Sequence, residues 1–311
     1  MAKVKSERHH WWPEAVSKRW AGEDGGTGWI TPDGNVKRLR PDALGVIGNA
    51  HHIKFSGVLE QDSPWDSSFE GVFNRADSNF PTIIDWLESL PREVLFDRPL
   101  RKRFVPQVCQ DQQLELLTEC VVSLAIRSPR NREAVARTIE HLRGPLKERE
   151  RNMLIAANLR GSQRLVSDSI KASAKFAVLF SRGREFIYGD GFFHNVTDPV
   201  NRPHYPKFLA PITPHVSVVI TRPMQYMVEP KLSTLVLSDE EVALCNYAVQ
   251  VYSGSALFYR SEKPDLDDAF KRAQHMKFEH PDNPIDTLIR AIPGIPDRDR
   301  SHDFLLPEHL K

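Results

Sequence analysis

Between residues 107 and 174 the apolar side chains recur at helical spacing, and from 176 to 221 they recur at every second position. That change of period, in that order, constrains the fold more than any other feature. Helices gathered in one block and strands in another do not make the alternating βαβ units of a doubly wound sheet, so an α+β chain is expected. Residues 107–126 read as the clearest helix. Val108, Leu114, Leu117, Val121, Leu124 and Ala125 fall near helical spacing, and the second half is apolar nearly all round, which places it centrally. Ser128-Pro129 restarts a helix to about Arg143, with serine as N-cap and proline in the first turn. Gly144-Pro145 breaks it, and a long polar helix follows over 146–174 with a weak point at Gly161. Upstream, residues 69–87 read as two short amphipathic helices broken near Pro81.

The strand signals are equally local. Residues 176–180 and 185–188 read as adjacent strands turned at Arg182-Gly183, followed past a proline-rich loop by strands at 216–221 and 234–237. Near the start, Trp29-Ile30-Thr31 and Val36-Lys37-Arg38-Leu39 flank Pro32-Asp33-Gly34-Asn35, a hairpin in which Gly34 supplies a positive φ. Ser238-Asp239-Glu240-Glu241 is a capping box opening a helix through Tyr252, and a last helix is expected over 265–277. From Glu279 prolines and charges dominate. The expected organisation is therefore one α+β domain over 1–278, with a mainly helical middle, a small antiparallel sheet and an N-terminal β-hairpin, then a Pro-rich, charged tail over 279–311.

Composition narrows the function classes. Lys+Arg number 42 and Asp+Glu 41, so global charge argues neither for nor against nucleic acid. The cysteines are three, Cys109, Cys120 and Cys245, without a C-x-x-C pair, so neither a disulfide framework nor a thiolate zinc site is expected. No apolar run approaches the roughly 18 residues of a membrane span, and the start lacks a signal-peptide apolar region. The reading is a cytoplasmic protein with no membrane partner.

Three stretches carry candidate chemistry. His9-His10-Trp11-Trp12-Pro13 joins two imidazoles, which exchange protons or bind metal near neutral pH, to two indoles that demand burial. The N-terminal segment is therefore expected to pack against the sheet. Arg127-Ser128-Pro129-Arg130-Asn131-Arg132 gathers three cations at a helix start, the positive end of the dipole. An anion at that point would explain them: a phosphate, or an internal carboxylate such as Glu70, Asp77 or Glu133. Gly189-Asp190-Gly191 sets an aspartate between glycines at a strand end, which suits a metal or general-base site that a ligand approaches closely, and equally suits a turn. Two histidines and a carboxylate form a set that suits Mn, Fe, Co, Ni or Zn. His194 and Asn195 lie just beyond Asp190, and His51-His52 reads as a strand edge. No G-x-S-x-G elbow, Walker loop, dinucleotide fingerprint or H-E-x-x-H is present.

Six motifs stand in a fixed order: His9 to Pro13; Glu70 in SSFEGVF; Ile126 to Arg132; Phe186 to Asp190; Pro211-Ile212-Thr213-Pro214; and Asn246 to Gly254. That order resembles a bacterial family designated domain of unknown function 4238, over most of residues 8–260. The chain departs from it after the aspartate, with Gly191-Phe192-Phe193 where the family has Asn-Pro-Val. The resemblance implies no settled activity. It implies that His9, His10, Arg127, Arg132, Asp190 and Asn246 belong to one pocket.

The resulting expectation is a phosphate-ester hydrolase, nuclease-like, in a bacterial stress or defence role. His9, His10 and Asp190 would be the catalytic residues, holding a divalent metal ion or activating water. Arg127 and Arg132 would balance phosphate charge and Asn246 would orient the substrate, with nucleic acid or nucleotide as partner. Two alternatives stand beside it: a non-enzymatic binding module whose polar motifs form a structural network, and a nucleotide sensor.

Overall fold

A computed structural model of the chain describes residues 8–44, 46–48, 52–53, 67–68, 70–196, 205–278 and 283–296, and for residues 8–10, 46–48, 52–53, 67–68, 70, 132–136, 138, 148–149, 152–153, 156–160 and 172 the backbone alone. The elements in chain order are β1 (Arg8–His10), α1 (Glu14–Ser17), β2 (Thr27–Ile30), β3 (Val36–Leu39), β4 (Val46–Gly48), β5 (His52–Ile53), β6 (Ser67–Ser68), α2 (Asn74–Ser89), β7 (Val105–Gln107), α3 (Asp111–Arg127), α4 (Pro129–Arg143), α5 (Glu148–Ile170), β8 (Lys175–Phe180), β9 (Tyr188–Gly189), β10 (Phe193–His194), β11 (Lys207–Thr213), β12 (Val216–Thr221), β13 (Leu232–Val236), α6 (Asp239–Tyr252), β14 (Leu257–Tyr259), α7 (Asp268–Lys271) and α8 (Pro284–Ala291). Among these no helix is long and apolar enough to cross a membrane.

The architecture is α+β, but the sheet is larger than the sequence suggests. Six strands run in the order β10-β11-β12-β8-β13-β7, and four more in the order β3-β2-β14-β9. The first sheet is mixed, because β8 pairs parallel to β13 and antiparallel to β12. β8 and β12 are buried along their whole length, as strands covered on both faces are. The β2–β3 hairpin turns through Gly34 at φ 84°. α3 packs against α2, α4 and α5, and its second half is buried all round.

Several local expectations give way to packing. α2 runs unbroken through Pro81, because Ala76, Phe80, Ile83, Ile84 and Leu87 bury one face on both sides of it. α5 passes through Gly161 without interruption. Residues 185–187 are not a strand beside β8. The Phe186 amide donates to the Pro214 carbonyl (2.8 Å), and β9 joins β14 in the other sheet. The proline-rich loop contains β11, in which Pro211 sits where the β11–β12 register shifts. The tail expected from 279 holds a helix: α8 starts on Pro284 and, with the turn after it, buries Ile285, Leu288, Ile289, Ile292 and Ile295. Prolines there open and close an amphipathic helix rather than preventing one.

The two N-terminal indoles are buried, Trp11 against Phe258 and Trp12 against Tyr188 and Phe192. Trp12, fully buried, stacks on Tyr188 (centroids 4.4 Å apart), and Tyr188 stacks on Phe258 (4.6 Å). Trp20 meets Tyr188 edge-on and donates its indole N–H to the Ile212 carbonyl at 3.0 Å. One apolar cluster runs from Trp11 to Ile295.

Candidate functional site

Asp190 follows β9 and is almost wholly buried. Its Oδ1 accepts from the backbone N–H of Gly254 (2.9 Å), Ser255 (3.2 Å) and Ala256 (3.3 Å); its Oδ2 accepts from Ser255 N (3.1 Å) and His275 Nε2 (2.8 Å). The flanking glycines serve the same clasp. A Cβ on Gly189 would lie 2.0 Å from Ser253 Oγ, and one on Gly191 2.0 Å from the Tyr252 carbonyl oxygen. They admit the chain leaving α6, not a ligand. Burial pushes the Asp190 carboxyl up, but the hydrogen bond and charge of His275 and the Gly254 and Ser255 amides outweigh it, so the carboxyl is held below its ordinary range. With four N–H groups making five contacts to two oxygens, a metal ion at Asp190 would have to displace the clasp.

The other candidates engage different parts of the fold. Asn246, on α6, accepts from Ile187 N (3.0 Å) and donates to the Glu185 carbonyl (2.9 Å), supplying the irregular segment 185–187 with the pairing a strand would give. Arg127 is the last residue of α3 and its side chain is wholly buried. It forks onto both carboxylate oxygens of Asp77, donates to Ser123 Oγ at 3.2 Å and lies over the Phe73 ring. The internal carboxylate foreseen as one explanation of the arginines is therefore present, as Asp77. The side chains of His9, His10 and Arg132 lie outside the described residues; His9 and His10 stand in β1, paired with Ile47 and Val46. Among the described residues no group of three His, Cys, Asp or Glu side chains is placed to hold a metal ion.

A different site opens where β8 ends and β11 turns into β12. A cavity of about 420 Å³ is lined by Arg19, Glu88, Arg92, Ser181, His215 and Arg260. Arg19, in the turn after α1, pairs with Glu88 (3.0 Å) and Asp85. Arg260, just past β14, donates from Nε to Glu185 Oε1 (2.8 Å), a carboxylate that also accepts from Ser261 N (3.0 Å). Arg92, just past α2, donates one N–H to the Glu88 carbonyl (3.1 Å) and lies 4.3 Å over the Phe180 ring. Among the described residues it has no carboxylate partner. Three guanidinium groups thus face three carboxylates, Asp85, Glu88 and Glu185, unevenly shared.

The protons at the centre of this cavity can be placed. Arg260 Nη2 lies 2.9 Å from His215 Nε2, and an arginine only donates, so Nε2 accepts. The ring is then neutral and its proton sits on Nδ1, facing Ser181 Oγ at 2.9 Å; the serine hydroxyl turns to the Pro214 carbonyl at 3.4 Å. Burial, then the Arg260 charge, pull His215 below its ordinary range against the opposing pull of Glu185 and Glu88. In this tautomer His215 donates toward Ser181 and takes no proton from it, so the pair is not an activated serine nucleophile.

Sequence reasoning missed this cavity. Its arginines are 73 and 168 positions apart along the chain (19 to 92, 92 to 260), and no spacing motif links them. It also missed His275, which nothing local marks. No protein-family model matches the chain, and neither does any curated protein or solved structure searched. The resemblance to the domain of unknown function 4238 therefore rests on the six ordered motifs alone.

Proposed function

We propose that the protein is a binding module for a small phosphate-bearing ligand of the nucleotide class, held in the cavity of Arg19, Arg92, His215 and Arg260. The observation that carries this reading is Arg92: a guanidinium in a cavity wall, flattened on Phe180, with one N–H engaged and no acidic partner among the described residues. Such a fork matches a phosphate or carboxylate. The cavity volume of about 420 Å³ falls in the range of small-molecule sites. The hydrolase reading is weaker, because Asp190, Arg127 and Asn246 are each engaged by the fold itself.

The test is a thermal-shift titration with adenosine 5′-monophosphate, inorganic phosphate and adenosine. A phosphate-bearing ligand at about 100 times its Kd adds about 2.7 kcal/mol, a Tm rise of about 5–10 °C. Adenosine alone should give none, and Arg92→Ala should abolish the rise. No shift with either phosphate compound, or an undiminished shift in Arg92→Ala, would remove the proposal.

A further inference from the structure

We infer that His215 is the residue that senses the ligand's charge in this cavity, turning from acceptor to donor by taking one proton from solvent when an anion binds. This rests on the binding reading above. Nε2 can only accept here, because Arg260 Nη2 donates to it from 2.9 Å. An anionic oxygen arriving at Arg260 competes for that same N–H. Once the guanidinium turns to the anion, Nε2 loses its donor and is left as an unpaired acceptor facing negative charge. Protonation resolves both problems: the imidazolium donates at Nε2 to the anion or to Glu185, whose Oε1 is 4.0 Å away, and keeps its Nδ1–H on Ser181 Oγ.

The surroundings favour the exchange. The groups facing His215 are Glu185 and Ser181 after β8, Arg260 after β14, Glu88 and Arg92 at the end of α2, and Arg19 after α1. Before binding, burial and then Arg260 oppose a charge on the ring, while Glu185 and Glu88 favour one. Engaging Arg260 with an anion weakens the nearest opposing charge and leaves the two favourable ones. The imidazole is half-exposed, so solvent can supply the proton. A neutral ligand gives no such exchange, which makes His215 a discriminator between charged and uncharged occupants.

Sulfate is the suitable probe, because it does not titrate near neutrality. Calorimetric titration of the full chain with sulfate between pH 6 and 8.5 should show the affinity falling toward tenfold per pH unit, as one linked proton requires. Titrations at one pH in two buffers of different ionisation enthalpy should report uptake of close to one proton. In His215→Gln, where the amide oxygen can still accept from Arg260, binding should persist, weaker and independent of pH. Sulfate binding to the wild type with no pH slope and no proton uptake, or an unchanged slope in His215→Gln, overturns the role of His215 and leaves the binding reading standing. Absence of sulfate binding at every pH overturns the role of His215, and the binding reading falls with it when adenosine 5′-monophosphate and inorganic phosphate also give no thermal shift.

Discussion

Replacing Asp190 with alanine tests whether the glycine-flanked carboxylate is a fastener or a catalyst. The change removes the acceptor for the amides of Gly254, Ser255 and Ala256 and for His275 Nε2. Ser255 is exposed and its amide can reach water; Gly254 and Ala256 are buried. The His275 side chain is 11% exposed, so its N–H can turn to water. Two stranded backbone donors therefore dominate, at about 1–3 kcal/mol each, or about 4 kcal/mol together. For a chain of this size that lowers Tm by about 8–16 °C. Asp190→Asn keeps a carbonyl oxygen for the amides and should lose about half as much. Because the folded carboxyl is held below its unfolded range, the wild-type advantage over Asp190→Asn is complete above the ordinary aspartate value of 3.8 and disappears as pH falls through the folded value. Circular-dichroism melts of the three proteins from pH 7 to pH 3 provide the assay. An Asp190→Ala variant that melts within about 1 °C of wild type would refute the clasp. If that variant also lost a metal-dependent nuclease activity present in the wild type, the catalytic reading would take its place.

Two further changes probe the frame around the sites. Asp77→Ala should destabilise by about 3–5 kcal/mol, since it takes the carboxylate from a buried guanidinium; Arg127→Met should cost less, because Asp77 is one-third exposed and keeps access to water, and a double-mutant cycle in urea should show that the pair couples. Trp12→Ala empties a fully buried indole site between Tyr188 and Phe192 and should lower stability by about 3–5 kcal/mol, read from the urea midpoint, with loss of near-ultraviolet aromatic signal; a midpoint near wild type would mean that the N-terminal segment is not docked.

The elements legible in the sequence are those whose signals are local. The Ser128 cap, the Ser238–Glu241 capping box and the Gly34 turn each involve residues at most four apart, and all three form as read. What stayed hidden depends on distant partners. β11 was masked by Pro211, which is tolerated only because a register shift falls there. The α8 pattern was masked by flanking prolines, and the partners of β9 lie some seventy residues downstream in β14.

The candidate site failed to assemble as read for the same reason, and two residues show how. A glycine beside an aspartate signals that something approaches the backbone closely, but the sequence does not say whether the visitor is a ligand or another stretch of the chain. At Gly189 and Gly191 it is the chain, Tyr252 and Ser253 at the end of α6. Arg127 was counted as a misplaced cation at the start of a helix. It is the last residue of α3, where a cation suits the dipole, one position before the serine that caps α4. Two helices that meet head to tail within two residues turn an apparent anomaly into an ordinary placement. Arg92, which has no carboxylate partner among the described residues, sits in a segment where nothing in the sequence sets it apart from other exposed arginines. Its distinction comes from Phe180, delivered beneath it by a strand nearly ninety residues later in the chain.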